Sequence, residues 1–256
     1  MLRHLPILLI LVTPGYCMFR PQSPKQHCVD PKAYFAVDEN QSRQSYNEEN
    51  DEFFHVEENL EVSQNQRIQN DMVQRDTLEE SNGNCQAGWK SFKRPSGEWC
   101  MKIFYEDSIT QSTAEQRCQA QGATLSGLQN HLESLYVTYT VSTHIYPSTG
   151  SIWVGLKRRK SCEKVGLTRD CTWATSFLWT DNSATGTDGL AWACNQPDNA
   201  RNRSQSCATL TASYKGSVLG FQTGLLDDVG CDFDYIKMDR KDRDIKAYIC
   251  GKKPKV

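Results

Sequence analysis

The sequence predicts an α+β fold of two helices, small antiparallel sheets and one long loop, stapled by disulfides. Three observations point to it. From Cys85 onward, helix-type capping pairs and strand-type alternation occur side by side. Cysteines recur through the same stretch, with none of the paired C-x-x-C spacing that zinc sites use, so disulfides in an oxidising compartment are the expected bond. A long Gly-, Asn- and Ser-rich run from about Lys157 to Thr223 has little periodicity, and loops of that length in a packed domain are usually functional.

Taken in chain order, Met1 to Cys17 carries Arg3 and His4, the apolar run Leu5 to Val12, then Gly15 and Tyr16. This is the pattern of a secretory signal peptide (residues 1–17), and it predicts a secreted, extracellular product. Its apolar core is shorter than the roughly 20 residues that span a bilayer, and no later segment is long and apolar enough, so no membrane span is expected. Residues 18–84 are poor in apolar groups and rich in Gln, Asn and Glu, with acidic runs at Glu48-Glu49, Asp51-Glu52 and Glu57-Glu58. They read as a flexible acidic stalk, which gives a chain of net charge −2 its uneven distribution. Val56, Leu60, Ile68 and Met72 offer partial helical spacing there without a sustained heptad.

A folded domain is expected over 85–251, followed by a short basic tail, 252–256. Met101 to Tyr105 alternates as a strand. Ser112 with Glu115 is a capping-box pair opening a helix with Ala114 and Cys118 on one face. Asn130 with Glu133 opens a second, whose inward stripe is expected to be Leu132, Leu135 and Tyr136. Ile152 to Leu156 reads as a buried strand, and Tyr235–Met238 and Ala247–Cys250 as closing strands. Asn40 and Asn202 begin glycosylation acceptor triplets, so a glycoprotein is expected.

The composition narrows the function classes. The histidines are scattered, and no Gly-x-Ser-x-Gly, His-Glu-x-x-His or phosphate-binding loop is present. Asp227 and Asp228 are sequence neighbours, poorly placed to flank a glycosidic bond from opposite sides, so no enzyme is expected. The basic run Lys157 to Lys160 reads as a solvated loop end, not a nucleic-acid contact.

The chemistry-bearing stretch is Gln196-Pro197-Asp198-Asn199, taken with Cys207, Asp227-Asp228 and Cys231. Calcium takes about six to eight oxygen ligands, which carboxylates and amide carbonyls supply. A proline between two such ligands stiffens the backbone, and in the cis form lets both face the same way. The expected cofactor is therefore Ca2+, its outer face open to a hydroxyl-bearing ligand.

The chain resembles the C-type lectin-like domain. The landmarks are Cys85 to Trp89, Trp99-Cys100, Ala114 to Cys118, Gly122 to Leu125, Ile152 to Leu156, Trp179, Trp192, Cys207, Cys231 and Tyr248 to Cys250, in the family's order. The stretch from Phe177 to Asp181, through Thr185 to Thr187, to Gln196-Pro197-Asp198-Asn199 is similar to secreted C-type lectin-domain proteins of nematodes, which implies a role in innate defence. The resemblance implies a C-type lectin-like fold with a long calcium-site loop, and disulfides Cys118–Cys250, Cys207–Cys231 and Cys85–Cys100. Cys162 and Cys171 are close enough to clip an insertion of their own. That leaves Cys28 and Cys194 to pair with each other or with another chain, and a homo-oligomer linked through Cys28 would gain avidity.

Carried over from the sugar-binding members, the metal and carbohydrate ligands are Gln196, Asp198, Gln205, Asp227 and Asp228. Gln-Pro-Asp resembles the galactose-type motif. Gln205 stands where the family has an acid, Asp227 where it has an asparagine, and Leu226 where it has a tryptophan. The exchange keeps three carboxylates and two amides, and so the ligand charge. Trp192 is a candidate to stack on a sugar face, or to plug the core beneath the loop. The resulting expectation is a calcium-dependent lectin binding a carbohydrate or glycoprotein on cells or microbes. The alternative is a calcium-independent protein-binding module on the same scaffold.

Overall fold

The computed structural model describes residues 84–232 and 241–255. The leader, Cys28, Asn40, the acidic stretch before residue 84 and the expected strand Tyr235–Met238 lie outside the described residues. The domain opens with an antiparallel hairpin, β1 (Lys90–Arg94) and β2 (Gly97–Tyr105), turned by Pro95 and Ser96. Then come α1 (Gln111–Gln119), β3 (Thr124–Leu125), α2 (His131–Ile145) and the long strand β4 (Thr149–Arg158). The second half carries β5 (Phe177–Trp179), β6 (Cys207–Ser213), the small hairpin β7 (Ser217–Val218) and β8 (Phe221–Gln222), β9 (Leu226–Val229) and β10 (Ile245–Lys252). No helix among the described residues is long and apolar enough to cross a membrane.

The main sheet runs in the order β1-β2-β10-β4-β6-β9, with β3 on β10 and β5 on β4. The last strand returns between β2, to which it is antiparallel, and β4, to which it is parallel. Because side chains alternate across a strand, β4 feeds two cores. Ile152, Val154 and Leu156 pack with Val137 and Val141 of α2 and Leu210 of β6, while Trp153 faces Ala114 and Cys118 of α1. Strand β6 falls inside the stretch expected to lack periodicity. All of its residues are buried, so its small and polar side chains show no polar face. Gly155 is required by contact: a Cβ there would lie 2.2 Å from the Leu125 carbonyl oxygen.

Both helices depart from the sequence expectation in detail. The N-cap of α1 is Thr110, whose hydroxyl accepts from the Thr113 amide at 3.1 Å, not Ser112. Glu115 is thereby released from capping, and instead accepts from the Leu125 amide (2.7 Å) and the Thr124 hydroxyl (3.0 Å), holding β3 against the helix. Asn130 does cap α2, accepting from the Glu133 amide at 3.1 Å. Its fully buried stripe, however, is Glu133, Ser134, Val137, Thr138, Val141 and Ser142; of the expected residues Tyr136 packs against the core, while Leu132 is 66% exposed.

The cause is a buried ion cluster. Arg94 donates to both oxygens of Glu133 (2.9 and 2.7 Å) and to Asp181 (2.9 Å), with all three side chains essentially out of solvent. Asp181 also accepts from the amides of Gly127, Ser183 and Ala184 at 2.8–3.0 Å. One guanidinium thus rotates α2 to bring its acid inward, and ties it to the hairpin and to the long loop.

Disulfides close Cys85–Cys100, Cys118–Cys250, Cys162–Cys171 and Cys207–Cys231, and Cys194 is disulfide-bonded as well. The start and end of the domain lie together: Lys252 donates to the Gln86 side chain at 2.8 Å and sits over the Trp89 ring at 3.9 Å.

Removing one partner of a buried pair leaves an uncompensated charge, which costs about 3–5 kcal/mol. Arg94→Met should lower unfolding stability by that amount in urea titration. A loss below about 1 kcal/mol, the scale of an exposed pair, would show that the cluster does not anchor the fold.

Candidate functional site

Strand β9 pairs with β6 and carries Asp227 and Asp228 in succession. Neighbours in a strand point to opposite faces, and the two acids meet different arginines. Asp227 pairs with Arg243 at 3.1 Å, and Arg243 lies over the Phe221 ring at 3.7 Å. Asp228, with no solvent exposure, forms a short ion pair with Arg158 at the end of β4. The position of Arg158 is set by register: it lies opposite Phe177 of β5, over whose ring its guanidinium sits at 4.5 Å, and its Nε donates to the Gln205 carbonyl at 2.7 Å.

Asp228 also organises the loop. Its two oxygens accept from the amides of Asp198 (3.0 Å) and Asn199 (2.9 Å). The Asn199 side chain donates to the carbonyls of Glu163 (3.0 Å) and Val165 (2.7 Å), binding the loop to the Cys162–Cys171 clip. Its oxygen accepts from the Gln205 amide at 3.1 Å. Residues 191–193 are laced to Leu226 by backbone bonds of 2.7 and 2.8 Å. The Gln196–Pro197 peptide bond is cis.

The five expected ligands are therefore only partly brought together. Asp228 and Gln205 are buried side by side, with Gln205 donating to the Asp228 carbonyl. Asp227 turns to the other face of β9. Gln196 accepts from the Asp198 amide at 3.1 Å, and Asp198 is exposed, its Oδ1 accepting from the Ala200 amide at 2.9 Å. The Nε2 of Gln196 and the Oδ2 of Asp198 have no protein partner among the described residues. The set, so arranged, does not fit a calcium ion: a guanidinium already neutralises Asp228, a second neutralises Asp227, and Gln205 is turned to a carbonyl. Among the described residues no three of His, Cys, Asp and Glu gather to hold a metal.

Burial pushes Asp227 up to about 7, with Arg243 pulling it down and Asp228 and Asp198 pushing it further up. Burial likewise raises Asp228 to about 6 against the pull of Arg158. Desolvation disfavours the ionised form more than each single arginine restores it.

Trp192 is buried, its ring 4.9 Å from Phe177 and its Nε1 donating to the Trp173 carbonyl at 3.1 Å, so it plugs the core and offers no face to a sugar. Trp173 is 44% exposed and Leu178 is 49% exposed. Arg158 stands in the run of four basic residues expected to be a solvated loop end, and of the four it alone is buried. Asn202 is exposed, consistent with an acceptor position.

A family model described as C-type lectin domain-containing protein 141/158 matches residues 90–253. Versican core protein of Rattus norvegicus is 27% identical over 169 residues, which is 66% of this chain but only 5% of that protein. The alpha subunit of snaclec jerdonibitin from Protobothrops jerdonii is 27% identical over 116 residues, 44% of this chain and 65% of its own. Among solved structures, the C-type lectin CEL-I from Cucumaria echinata aligns with a TM-score of 0.46 at 19% identity, covering 68% of this chain and all of that one.

Both raised acids sit above their ordinary value of 3.8. Their contribution to stability is complete below that value and is lost as pH rises through about 6 to 7. Asp227→Asn, which stays neutral, should therefore gain on the wild type by a few degrees of melting temperature between about pH 5 and pH 8. Parallel melting curves for the two across that range would contradict these raised values.

Proposed function

The chain belongs to the C-type lectin domain-containing protein 141/158 family, and on that premise we propose that it is a secreted, non-catalytic recognition module. Its ligand is a carbohydrate, free or on a glycoprotein of cells or microbes, met at the loop that starts with Gln196. One observation carries the reading. Gln196 and Asp198 present an unused amide donor and an unused carboxylate acceptor from a backbone fixed by Asp228. A sugar hydroxyl both donates and accepts, so such a couple answers it directly. Fixing the couple beforehand reduces the ordering cost of binding.

Supporting features agree. The disulfides among the described residues belong to an oxidising compartment, in keeping with the leader-like N-terminus. Asp227 and Asp228 are buried and each held by an arginine, which removes them from any glycosidase role. The same engagement disfavours calcium dependence, and leaves the galactose-type label resting on Gln196 and Asp198 alone. A second reading, a calcium-independent module for protein surfaces, is favoured by the exposed Trp173 and Leu178, since large aromatics in the open are common anchors of protein contacts.

Retention on immobilised galactose- and mannose-type glycans tests the first reading. Gln196→Ala with Asp198→Ala should weaken retention about tenfold or more, the value of one or two lost hydrogen bonds to a charged or amide group, with an unchanged melting temperature. Undiminished retention by the double variant would sink it. Loss of binding on Trp173→Ala alone, toward a protein ligand and not a glycan, would turn the assignment to the second reading.

A further inference from the structure

The place where this loop needs a positive charge is filled from within the chain. Asp228 is fully buried, and its carboxylate is what holds the Asp198 and Asn199 amides, at 3.0 and 2.9 Å. A carboxylate taken out of water needs a paired charge, and Arg158 supplies it in a geometry that leaves it little freedom. Nη2 binds Asp228, Nε donates to the Gln205 carbonyl at 2.7 Å, the guanidinium lies over the Phe177 ring at 4.5 Å, and the side chain has no solvent exposure. We infer that Arg158 is the resident cation of this site. It takes the charge-balancing place that a divalent ion would occupy and fixes the 196–203 loop in its ligand-facing shape without metal.

Two further observations point the same way. The charges of the site cancel in pairs, Asp228 with Arg158 and Asp227 with Arg243, so among the five expected ligands a doubly charged ion would find only the exposed Asp198 to offset it. Gln205 matches this balance, because its amide can donate to the Asp228 carbonyl at the spot where a carboxylate would be repelled. The loop also needs an external brace. Asn195, Asn199, Arg201, Asn202 and Arg203 all have φ between 49° and 64°, a left-handed conformation that L-residues hold only when the surroundings over-determine it. The hydrogen bonds that Asp228 accepts come from that stretch, at Asp198 and Asn199, and Arg158 keeps the acid ionised to accept them. The link to ligand binding rests on the loop being the recognition surface, as proposed above; the lock itself does not.

The full chain is tested by thermal unfolding in excess calcium and in EDTA, and by limited trypsin digestion at Arg201 and Arg203 under both conditions. The wild-type midpoint and cleavage rate should be the same with and without calcium. A calcium-dependent rise of several degrees, the size expected when a ligand binds only the folded form, would overturn the inference. Arg158→Met should be cut in the loop about tenfold faster or more, as expected when a local opening becomes cheaper, in calcium and EDTA alike. Should that variant fail to fold, Asp228→Asn, which keeps the shape and removes the charge, carries the same expectation. Cleavage of either folded variant at the wild-type rate would show that the pair does not hold the loop. No glycan enters these assays, so their failure and the failure of the glycan reading are separate results.

Discussion

A carboxylate that leaves water must be met by a positive charge or surrender its own, and this fold meets that demand with arginine at four buried acids. Glu133 and Asp181 share Arg94, Asp228 takes Arg158, and Asp227 takes Arg243. The partners in the first cases are 39, 87 and 70 residues apart in sequence, so none of these pairs can form before distant segments are in place. Each therefore rewards one arrangement of the chain: α2 turned with its acid inward, the long loop folded back on the hairpin, β4 and β9 on either side of β6. Leaving any acid unmatched is far costlier than the pair is favourable.

What could be read in the sequence is what local pattern determines. The alternation around Met101 to Tyr105, the apolar run Ile152 to Leu156 and the closing strand at Ala247 to Cys250 all lie within observed strands. The Asn130 cap fixes the start of α2, and its side-chain bond to the Glu133 amide is a contact between near neighbours. The face of α2 was not legible. Hydropathy places Leu132 inside and Glu133 outside, and only the arrival of Arg94, 39 residues upstream, reverses them. The start of α1 was ambiguous for another reason: Thr110 and Ser112 are both good capping residues two positions apart, and the need of β3 for Glu115 decides between them. Strand β6 escaped because burial on both faces removes the period-2 signal.

In the candidate site the oxygen donors were visible and the cation was not. Four consecutive basic residues from Lys157 look like a solvated loop end, yet the first two of them close strand β4, which runs from Thr149 to Arg158. Alternation along that strand sends Lys157 out and Arg158 in, and an arginine there has a buried aspartate to find. The pattern was present in the sequence, hidden by the uniformity of the charges. For Trp173 and Trp192, which of them fills the space beside Phe177 is settled by three-dimensional packing alone.

The neighbourhood of Lys252, Gln86 and Trp89 has a mechanical meaning. The polypeptide enters and leaves the domain at adjacent points, with Cys85 fastened to β2 and Lys252 ending the strand paired to it. Tension applied to the flanking segments would pass across β1, β2 and β10, staying within the closure of the hairpin. The loop at Asp198, carried by β9 at the opposite edge of the strand order, stands outside that load path. A unit so built hangs like a pendant: it could be strung into a longer chain and pulled from either side while the loop at Asp198 bears none of the force.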